Sequence, residues 1–373
     1  MKLDISPMLN AYPDSMGGTL HDIVQLLARP EFENVFGSFY ILPSVFNTDL
    51  DRGFSVIDYT LNRELAGPQD MEGLKALGLK LKLDFILNHA SVLSPQFQDL
   101  LKNGKNSVYR DFFINWNDFW QGCGSMTEQG YIQPEAKYLE KMFFRKPGLP
   151  ILMARMPDGT EEPYWNAIEN KDGSYLAAWA DELRDHQIHT VNMLGCHDGI
   201  PLLDLKGLLP EERIQSLIGT IVARGGMVKD LHGQKNIYYQ VNATYYSALG
   251  ADDDKMLLAR AIQLFMPGKP QVWYLDLFAG KNDVEAVRHA GAGGHKEINR
   301  TNLNAEQINT ALQRDVVQRQ LDLLRLRKTH PAFHSDAEIT TTWSAPVLSI
   351  CWKHGADMIA LRADLVKDKF EIQ

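Results

Sequence analysis

The sequence has few cysteines, and they are not arranged in pairs. Only Cys123, Cys196 and Cys351 occur among the 373 residues, and they are widely separated. An odd number of distant cysteines excludes a disulfide framework, and without C-x-x-C pairs no zinc site of that kind is expected. This cysteine content is typical of a reducing compartment, and we predict a cytoplasmic protein.

The chain also lacks an excess of basic residues and a long apolar run. The 38 Lys and Arg against 47 Asp and Glu give a net charge of −9, which argues against a nucleic-acid or anionic-membrane partner. No apolar run approaches the length of a membrane span, and the first residues have no apolar signal core. With 45% hydrophobic and 23% charged residues, the composition is that of an ordinary globular protein.

Short apolar runs bounded by glycine or proline predict buried strands at residues 3–8, 35–42, 79–87, 190–194 and 267–275. Amphipathic patterns predict helices at 19–28, 71–77, 95–102, 174–184, 210–224, 253–265 and 315–329. Because strands and helices alternate, we expect an α/β fold with a parallel sheet and right-handed crossovers.

Two regions depart from this alternation. From residue 103 to about 162 the sequence is rich in aromatic residues and glycine, which indicates an excursion from the main layer, a small subdomain or a lid. After Pro331, short strands are predicted at 340–343, 347–352 and 358–361, as in a C-terminal antiparallel β-module.

Polar residues follow two of the predicted strands. His197 and Asp198 follow the strand at 190–194, and His89 follows the strand at 79–87. The carboxyl ends of parallel strands are where α/β folds place their chemistry. Two alternatives remain: the pair is a turn with Asp198 as a cap, or His89, His197 and Asp198 are ligands of a metal-dependent phosphohydrolase. The metal alternative is disfavoured because no H-x-x-x-H or carboxylate cluster accompanies them.

Eight segments carry a family resemblance, in this order: D-R-G-F-S-V-I-D-Y, D-F-I-L-N-H-A-S, G-C-H-D-G-I, K-G-L-L-P, Y-Y-Q-V-N-A-T-Y-Y-S-A-L-G, P-G-K-P-Q-V-W-Y-L, A-G-K-N-D and E-I-N-R. They resemble the sucrose phosphorylase branch of the α-amylase superfamily, glycoside hydrolase family 13. The resemblance implies a (β/α)₈ TIM barrel with a B-domain excursion and a C-terminal β-module. It also implies retaining α-glucosyl transfer with a small α-glucoside and phosphate as substrates and with no cofactor or metal.

The resemblance also implies roles for single residues. Asp198 matches the carboxylate that stabilises the transition state, and the other matched residues bind the sugar or line its site: Asp51, Phe54, His89, His197, Gln240 and Arg300. Gln240 matches a glutamine on a mobile loop. Structural alternatives are that Phe54 belongs to the core, that His89 is a satisfied buried histidine and that Arg300 pairs with Glu297.

The family's nucleophile motif, R-x-D-A, and its acid/base motif, E-x-H, are both missing between His89 and His197. The break falls between Ile168 and Gly173, so we predict an internal deletion of barrel strands four to six. The expected parts are the first barrel part at 1–102, the excursion at 103–168, the remaining barrel at 173–335 and a truncated β-module at 336–373.

Five strands cannot close a barrel as eight do, and the third and seventh strands of the family order would become edges. They either pair directly in a smaller, distorted sheet, or are covered by another chain such as a second copy, or belong to a chain that folds poorly. We expect little or no turnover from this chain. The alternative to an enzyme is a deleted barrel that binds sugar weakly at most.

Overall fold

The computed structural model describes residues 3–86, 89–142, 149, 151–165, 190–202, 205, 208–230, 238–291 and 294–373. The helix predicted at 174–184 and the break at 169–172 lie outside these residues. None of the described helices is long and apolar enough to cross a membrane.

The described strands are β1 Met8–Ala11, β2 Ser38–Ile41, β3 Phe46–Leu50, β4 Ser55–Leu61, β5 Lys80–Leu83, β6 Gly124–Met126, β7 Ile132–Pro134, β8 Ile151–Arg155, β9 Glu161–Trp165, β10 Val191–Met193, β11 Ile200–Pro201, β12 Met227–Asp230, β13 Tyr238–Asn242, β14 Lys269–Trp273, β15 Glu338–Ser344, β16 Val347–His354, β17 Asp357–Asp364 and β18 Lys369–Ile372. The described α-helices are α1 Leu20–Leu27, α2 Pro68–Ala76, α3 Pro95–Asn103, α4 Trp116–Phe119, α5 Ala136–Met142, α6 Glu211–Ala223, α7 Tyr245–Ala248, α8 Asp253–Phe265, α9 Tyr274–Leu277, α10 Val284–Ala290, α11 Ala305–Leu312 and α12 Asp315–Thr329.

The main sheet is parallel, and its described strands have the order β10-β14-β1-β2-β5. Its outer strands are therefore β5 and β10, the third and seventh in the family order. The α/β class with a parallel sheet is confirmed. The apolar side chains on the two outer strands are partly open to solvent, and in the described part of the chain these strands do not pair with each other as one of the sequence alternatives proposed.

Two predicted strands have different bounds in the structure. The first strand is β1, not 3–8, because Asp4 accepts a hydrogen bond from the backbone N–H of Ser6 at 3.0 Å and turns the chain there. The third strand, predicted at 79–87, ends at Leu83 because β2, the neighbour with which β5 pairs, ends at Ile41.

Helices pack on the outer face of the sheet, and their starts follow local signals. Thr19 caps α1, and its side chain accepts a hydrogen bond from the backbone N–H of Asp22. The core is formed largely by α1, α8, α12 and the strands β1, β2 and β14. This layer fixes the strand ends that carry the candidate site.

The described residues between 104 and 165 form hairpins β6-β7 and β8-β9 over two small clusters around Trp116 and Phe97. The C-terminal sheet is antiparallel with the order β15-β16-β17-β18. Its three predicted strands are present with longer bounds, and β18 was not predicted. Trp352 joins this sheet to the main core by donating from Nε1 to the carbonyl of Phe265 at 2.6 Å.

Candidate sugar site

The candidate site lies at the carboxyl edge of the main sheet. Tyr12 follows β1, His89 lies beyond β5, and the segment 196–198 follows β10. Arg300 comes after the 3-10 turn Gly294–Asn299, and Asn299 donates from Nδ2 to the carbonyl of Cys196 at 2.8 Å. The parallel strands thus bring together residues that are more than two hundred positions apart in sequence.

His197 lies against aromatic side chains. Its ring stacks on Phe54 with centroids 4.9 Å apart and planes inclined by 17°, and Tyr12 meets it edge-on at 6.4 Å. Its Nε2 is 3.4 Å from Asp198 Oδ2. Burial lowers the pKa of His197 and outweighs the opposing charge of Asp198, so the imidazole is neutral at pH 7.

Asp198 lies between two cations. Its Oδ1 is 3.2 Å from Lys296 Nζ and 3.4 Å from Arg300 Nη2. Burial opposes ionisation of this carboxyl, but His197 and the two cations outweigh that effect and lower its pKa. Asp198 is therefore an ionised carboxylate. Because 40% of its side chain remains exposed, it is also accessible to a ligand.

Arg300 is buried and holds this arrangement together. Its Nε donates to the carbonyl of His197 at 2.8 Å, and its Nη1 is 3.7 Å from Glu297. The alternative pairing with Glu297 therefore exists alongside the contact with Asp198. One guanidinium fixes both the backbone and the carboxylate of the His197-Asp198 pair, as its planar fork of donors permits.

Arg52 was not predicted as a site residue. Its guanidinium lies 4.3 Å from the centroid of the Tyr12 ring, donates from Nη1 to the carbonyl of Arg300 at 2.8 Å and from Nη2 to Asp14 at 3.2 Å. Arg52 has a positive φ of 50°, a conformation uncommon for residues other than glycine. The D-R-G-F segment contained this arginine, but only the fold shows that it supports Arg300. Lys296 was missed in the same way.

The predicted residues Phe54 and His89 belong to one unit. His89 Nε2 lies 2.6 Å from the carbonyl oxygen of Phe54, while the Phe54 ring packs on His197. Phe54 also contacts the main core, so it is a core residue and at the same time a residue that packs on His197 in the candidate site. The backbone of Asp51 lies in the turn Asp51–Gly53, and its side chain is outside the described atoms.

The predicted position of Gln240 on a mobile loop is wrong. The residue belongs to β13, which pairs with β11 and β12, and its side chain is buried. The expectation of a loop came from the family resemblance alone. Strand pairing with β12 decided the outcome.

A buried carboxylate lies beneath the end of β10. Asp276 Oδ1 accepts a hydrogen bond from the backbone N–H of Tyr245 at 2.9 Å, and a Cβ at Gly195 would lie 2.4 Å from Asp276 Oδ2. Burial raises the pKa of Asp276 to about 6, against the opposing charge of Arg260. Gly195 thus permits the close approach that seats His197 and Asp198.

The other described carboxylates near Asp198 already have partners. Asp14 and Glu297 contact Arg52, and Asp84 accepts a hydrogen bond from the Tyr40 hydroxyl at 2.6 Å. Within the described ranges, no group of three or more His, Cys, Asp or Glu is arranged to hold a metal ion. The metal alternative therefore finds no ligand cluster in this part of the chain.

Comparison with known proteins gives no matching family model. The sequence is 41% identical to a sucrose 6(F)-phosphate phosphorylase from Ilumatobacter coccineus, across 98% of this chain and 95% of that protein. The chain belongs to the sucrose phosphorylase branch of the α-amylase superfamily. A glucosylglycerol phosphorylase from Marinobacter adhaerens is 26% identical, with 98% and 95% of the two chains covered.

Solved structures of this superfamily share the fold. The crystal structure of a sucrose 6F-phosphate phosphorylase from Thermoanaerobacter thermosaccharolyticum matches with a TM-score of 0.85 at 28% identity, covering 100% of this chain and 96% of that one. An α-amylase from H. orenii matches with a TM-score of 0.58 at 13% identity, covering 96% and 89%, which shows the fold alone.

The comparison also accounts for the open sheet. The alignment with the Ilumatobacter protein extends over 496 positions, whereas this chain has 373 residues. At least 123 aligned positions, the difference between these numbers, therefore have no residue of this chain. In the described part of the chain, the main sheet is open between the third and seventh strands of the family order. The fold is a TIM-barrel derivative with an internal deletion of the segment that carries strands four to six.

Proposed function

We propose that this chain binds an α-glucosyl unit at the site around Asp198 and that the isolated chain does not transfer it. The observation that carries the proposal is the ionised Asp198 carboxylate, held by Lys296 and Arg300 beside the stacked rings of Phe54 and His197. The predicted residues Asp51, His89 and Gln240 complete the proposed sugar site.

The chemistry of these side chains suits a sugar ring. Stacked aromatic rings offer an apolar face, and Asp198, with the neutral His197 beside it, offers hydrogen-bonding groups to hydroxyls. Charged groups in a partly dry site form stronger hydrogen bonds than neutral ones, and they discriminate against ligands that lack a matching hydroxyl. The relatives named sucrose 6(F)-phosphate phosphorylase support an α-glucoside as the ligand.

Retaining transfer needs two further carboxyl groups. One attacks the anomeric carbon, and the other protonates the leaving oxygen and later accepts a proton from the incoming phosphate. The R-x-D-A and E-x-H motifs that provide them in the family are missing, and Asp14, Asp84 and Glu297 are engaged with other groups. Because general acid–base catalysis alone contributes roughly 10²–10⁴-fold, we expect no measurable turnover.

The test measures binding and turnover separately. Isothermal titration with glucose, sucrose and sucrose 6(F)-phosphate should show millimolar binding that Asp198→Asn weakens at least tenfold. Phosphorolysis, followed by NMR detection of glucose 1-phosphate, should remain at background. Equal binding by Asp198→Asn would contradict the proposed site, and turnover by the unaltered chain would contradict the proposed inactivity.

A further inference from the structure

We propose that the edge strands β5 and β10 form a docking surface for a second polypeptide that carries three parallel β/α units. When docked, this polypeptide closes the barrel and supplies the two carboxyl groups that the chain lacks. Docking itself goes beyond the proposed function, which concerns the isolated chain. The restored glucosyl transfer rests on that proposed function, because it requires the sugar to bind around Asp198.

Among the residues that the structure describes, no strand pairs with the outer side of β5 or β10, and their outward peptide groups point away from the sheet. On β5, the N–H of Lys80 donates to the carbonyl of Gly37 at 3.1 Å, so Lys80 and Lys82 face β2. Peptide groups alternate between the two sides of a parallel strand, so those of Leu81 and Leu83 face outwards. Each outward row is able to accept another parallel strand.

The same geometry holds on β10. The N–H of Lys269 donates to the carbonyl of Thr190 at 2.8 Å, so Thr190 and Asn192 face β14. The peptide groups of Val191 and Met193 therefore face outwards. Both edges run in the same direction, as the two ends of an interrupted parallel barrel do.

The edge side chains are apolar and exposed. Leu81, Leu83, Val191 and Met193 have exposed fractions of 38%, 41%, 43% and 43%. Strands of a parallel sheet are normally covered on both faces, because crossover helices lie on them. The surface is therefore one that three β/α units would bury.

The size of the deletion matches such a partner. The Ilumatobacter relative has at least 123 aligned positions with no residue in this chain, which is 496 less 373. Eight β/α units occupy roughly 250 residues, so three units with their loops need on the order of 95. The missing length thus suffices for the three units and leaves room for insertions.

Charge favours this partner over a second copy. Lys82 Nζ lies 3.7 Å from the centroid of the Tyr40 ring. On the same face, the Tyr40 hydroxyl donates a hydrogen bond to Asp84, and the charge of Asp84 opposes the lowering of the His197 pKa. Strands that end in Asp and Glu would bring negative charge to this face. A second copy would bring β10, whose residues Val191–Met193 carry no charge.

The restored reaction is glucosyl transfer with retained configuration. A carboxylate of the docked polypeptide forms an ester bond with C1 of the glucosyl unit as the glycosidic C1–O bond breaks, and a second carboxyl protonates the leaving oxygen. A phosphate oxygen then bonds to C1, the ester bond breaks, and the second carboxylate takes the phosphate proton. The product is α-glucose 1-phosphate, and no redox partner is needed.

The experiment combines the full chain with the segment of the Ilumatobacter relative that lies opposite the gap. The two polypeptides are co-expressed, and light scattering after size exclusion measures the mass of the product. We expect one 42.2 kDa chain per segment. Phosphorolysis of sucrose 6(F)-phosphate is measured on the same fraction, and we expect at least a hundredfold rise over the isolated chain.

Edge variants separate docking from folding. Leu81→Pro removes an outward N–H while leaving the bonds of Lys80 and Lys82 to β2, and proline is tolerated at such edge positions. The isolated variant should therefore keep the circular dichroism spectrum of the parent. We expect Leu81→Pro to weaken segment binding at least tenfold and the matched control Leu81→Val, which keeps the N–H, to bind as the parent does.

Three outcomes would overturn the proposal. One is the absence of a complex, and another is equal binding of the segment by Leu81→Pro and Leu81→Val. The third is a dimer of the isolated chain that Leu81→Pro dissociates, which would assign the edges to a second copy. A complex without turnover, formed by a chain that binds sugar in titration, would overturn the catalytic half alone.

Discussion

At the scale of single residues, the site depends on guanidinium groups that make several directed contacts at once. Arg300 donates to the carbonyl of His197 and lies near Asp198 and Glu297, while Arg52 donates to the carbonyl of Arg300. A lysine ammonium is a point charge and cannot reproduce this fork. The two arginines therefore position Asp198 rather than merely neutralise it.

Arg300→Lys should weaken sugar binding about tenfold, equivalent to about 1.4 kcal/mol, because the carbonyl of His197 loses its donor while the positive charge remains. The measurement is titration with sucrose, with thermal unfolding as a check on folding. The control is Arg288→Lys, at an exposed arginine paired with Glu285, which should bind as the parent does. Unchanged binding in Arg300→Lys would exclude a positioning role.

Asp276 should make stability depend on pH. Its folded pKa, raised to about 6 from 3.8, means that the folded state binds more protons than the unfolded state between these values. The stability that Asp276 contributes is therefore present below pH 4 and lost as the pH rises through 6. Asp276→Asn keeps an acceptor for the N–H of Tyr245 and should be the more stable form at pH 8, by about 3 kcal/mol.

Denaturant titrations from pH 4 to pH 8 measure this difference, which should shrink towards zero at the acidic end. Asp315→Asn, at an exposed aspartate near Arg319, is the control and should follow the parent throughout. Parallel curves for Asp276→Asn and the parent would show that Asp276 does not titrate in this range.

At the scale of elements, helices were predicted more accurately than strands. The bounds of α8 and α12 agree with the predicted 253–265 and 315–329, because a helix is defined by local periodicity and by end residues such as the Asp252 cap of α8. Strand bounds depend on the neighbour. Beyond Leu83 the apolar residue Phe85 continues the pattern, yet none of the described strands pairs with it and it is 69% exposed.

The exposed edges should make the isolated chain prone to aggregation when warming begins to unfold it. Replacing Leu81 and Val191 together by lysine places charges on both edges, which natural sheets use to prevent edge-to-edge pairing. We expect light scattering on warming to begin at a higher temperature by several degrees, while the circular dichroism spectrum is unchanged. Leu365→Lys, at a similarly exposed leucine in the C-terminal sheet region, should not have this effect. An equal shift in that control would assign the change to net charge.

At the scale of the whole molecule, the order of the motifs predicted which strands remain, because sequence order fixes the order of β/α units. The family resemblance implied a common sugar site for Phe54, His89, His197, Asp198 and Arg300, and the structure places these residues together at the carboxyl edge of the sheet. The support from Arg52 and Lys296 was not predictable, since both contacts form only when distant loops meet. Whether the sheet closes is likewise a tertiary property.

Inserting the missing segment into the same chain tests whether the main sheet is a barrel that the deletion interrupts. Placed after Ile168, the residues of the Ilumatobacter relative that face the gap would provide strands four to six between β5 and β10, so the edge side chains would be buried. We expect a higher unfolding midpoint and phosphorolysis of sucrose 6(F)-phosphate, measured by calorimetry and by release of glucose 1-phosphate. A second insertion in which the aspartate of R-x-D-A is asparagine should raise the midpoint equally without turnover, because the barrel closes but lacks its nucleophile. If the midpoint stays unchanged in both, the five remaining strands do not adopt the barrel arrangement that the deletion interrupts.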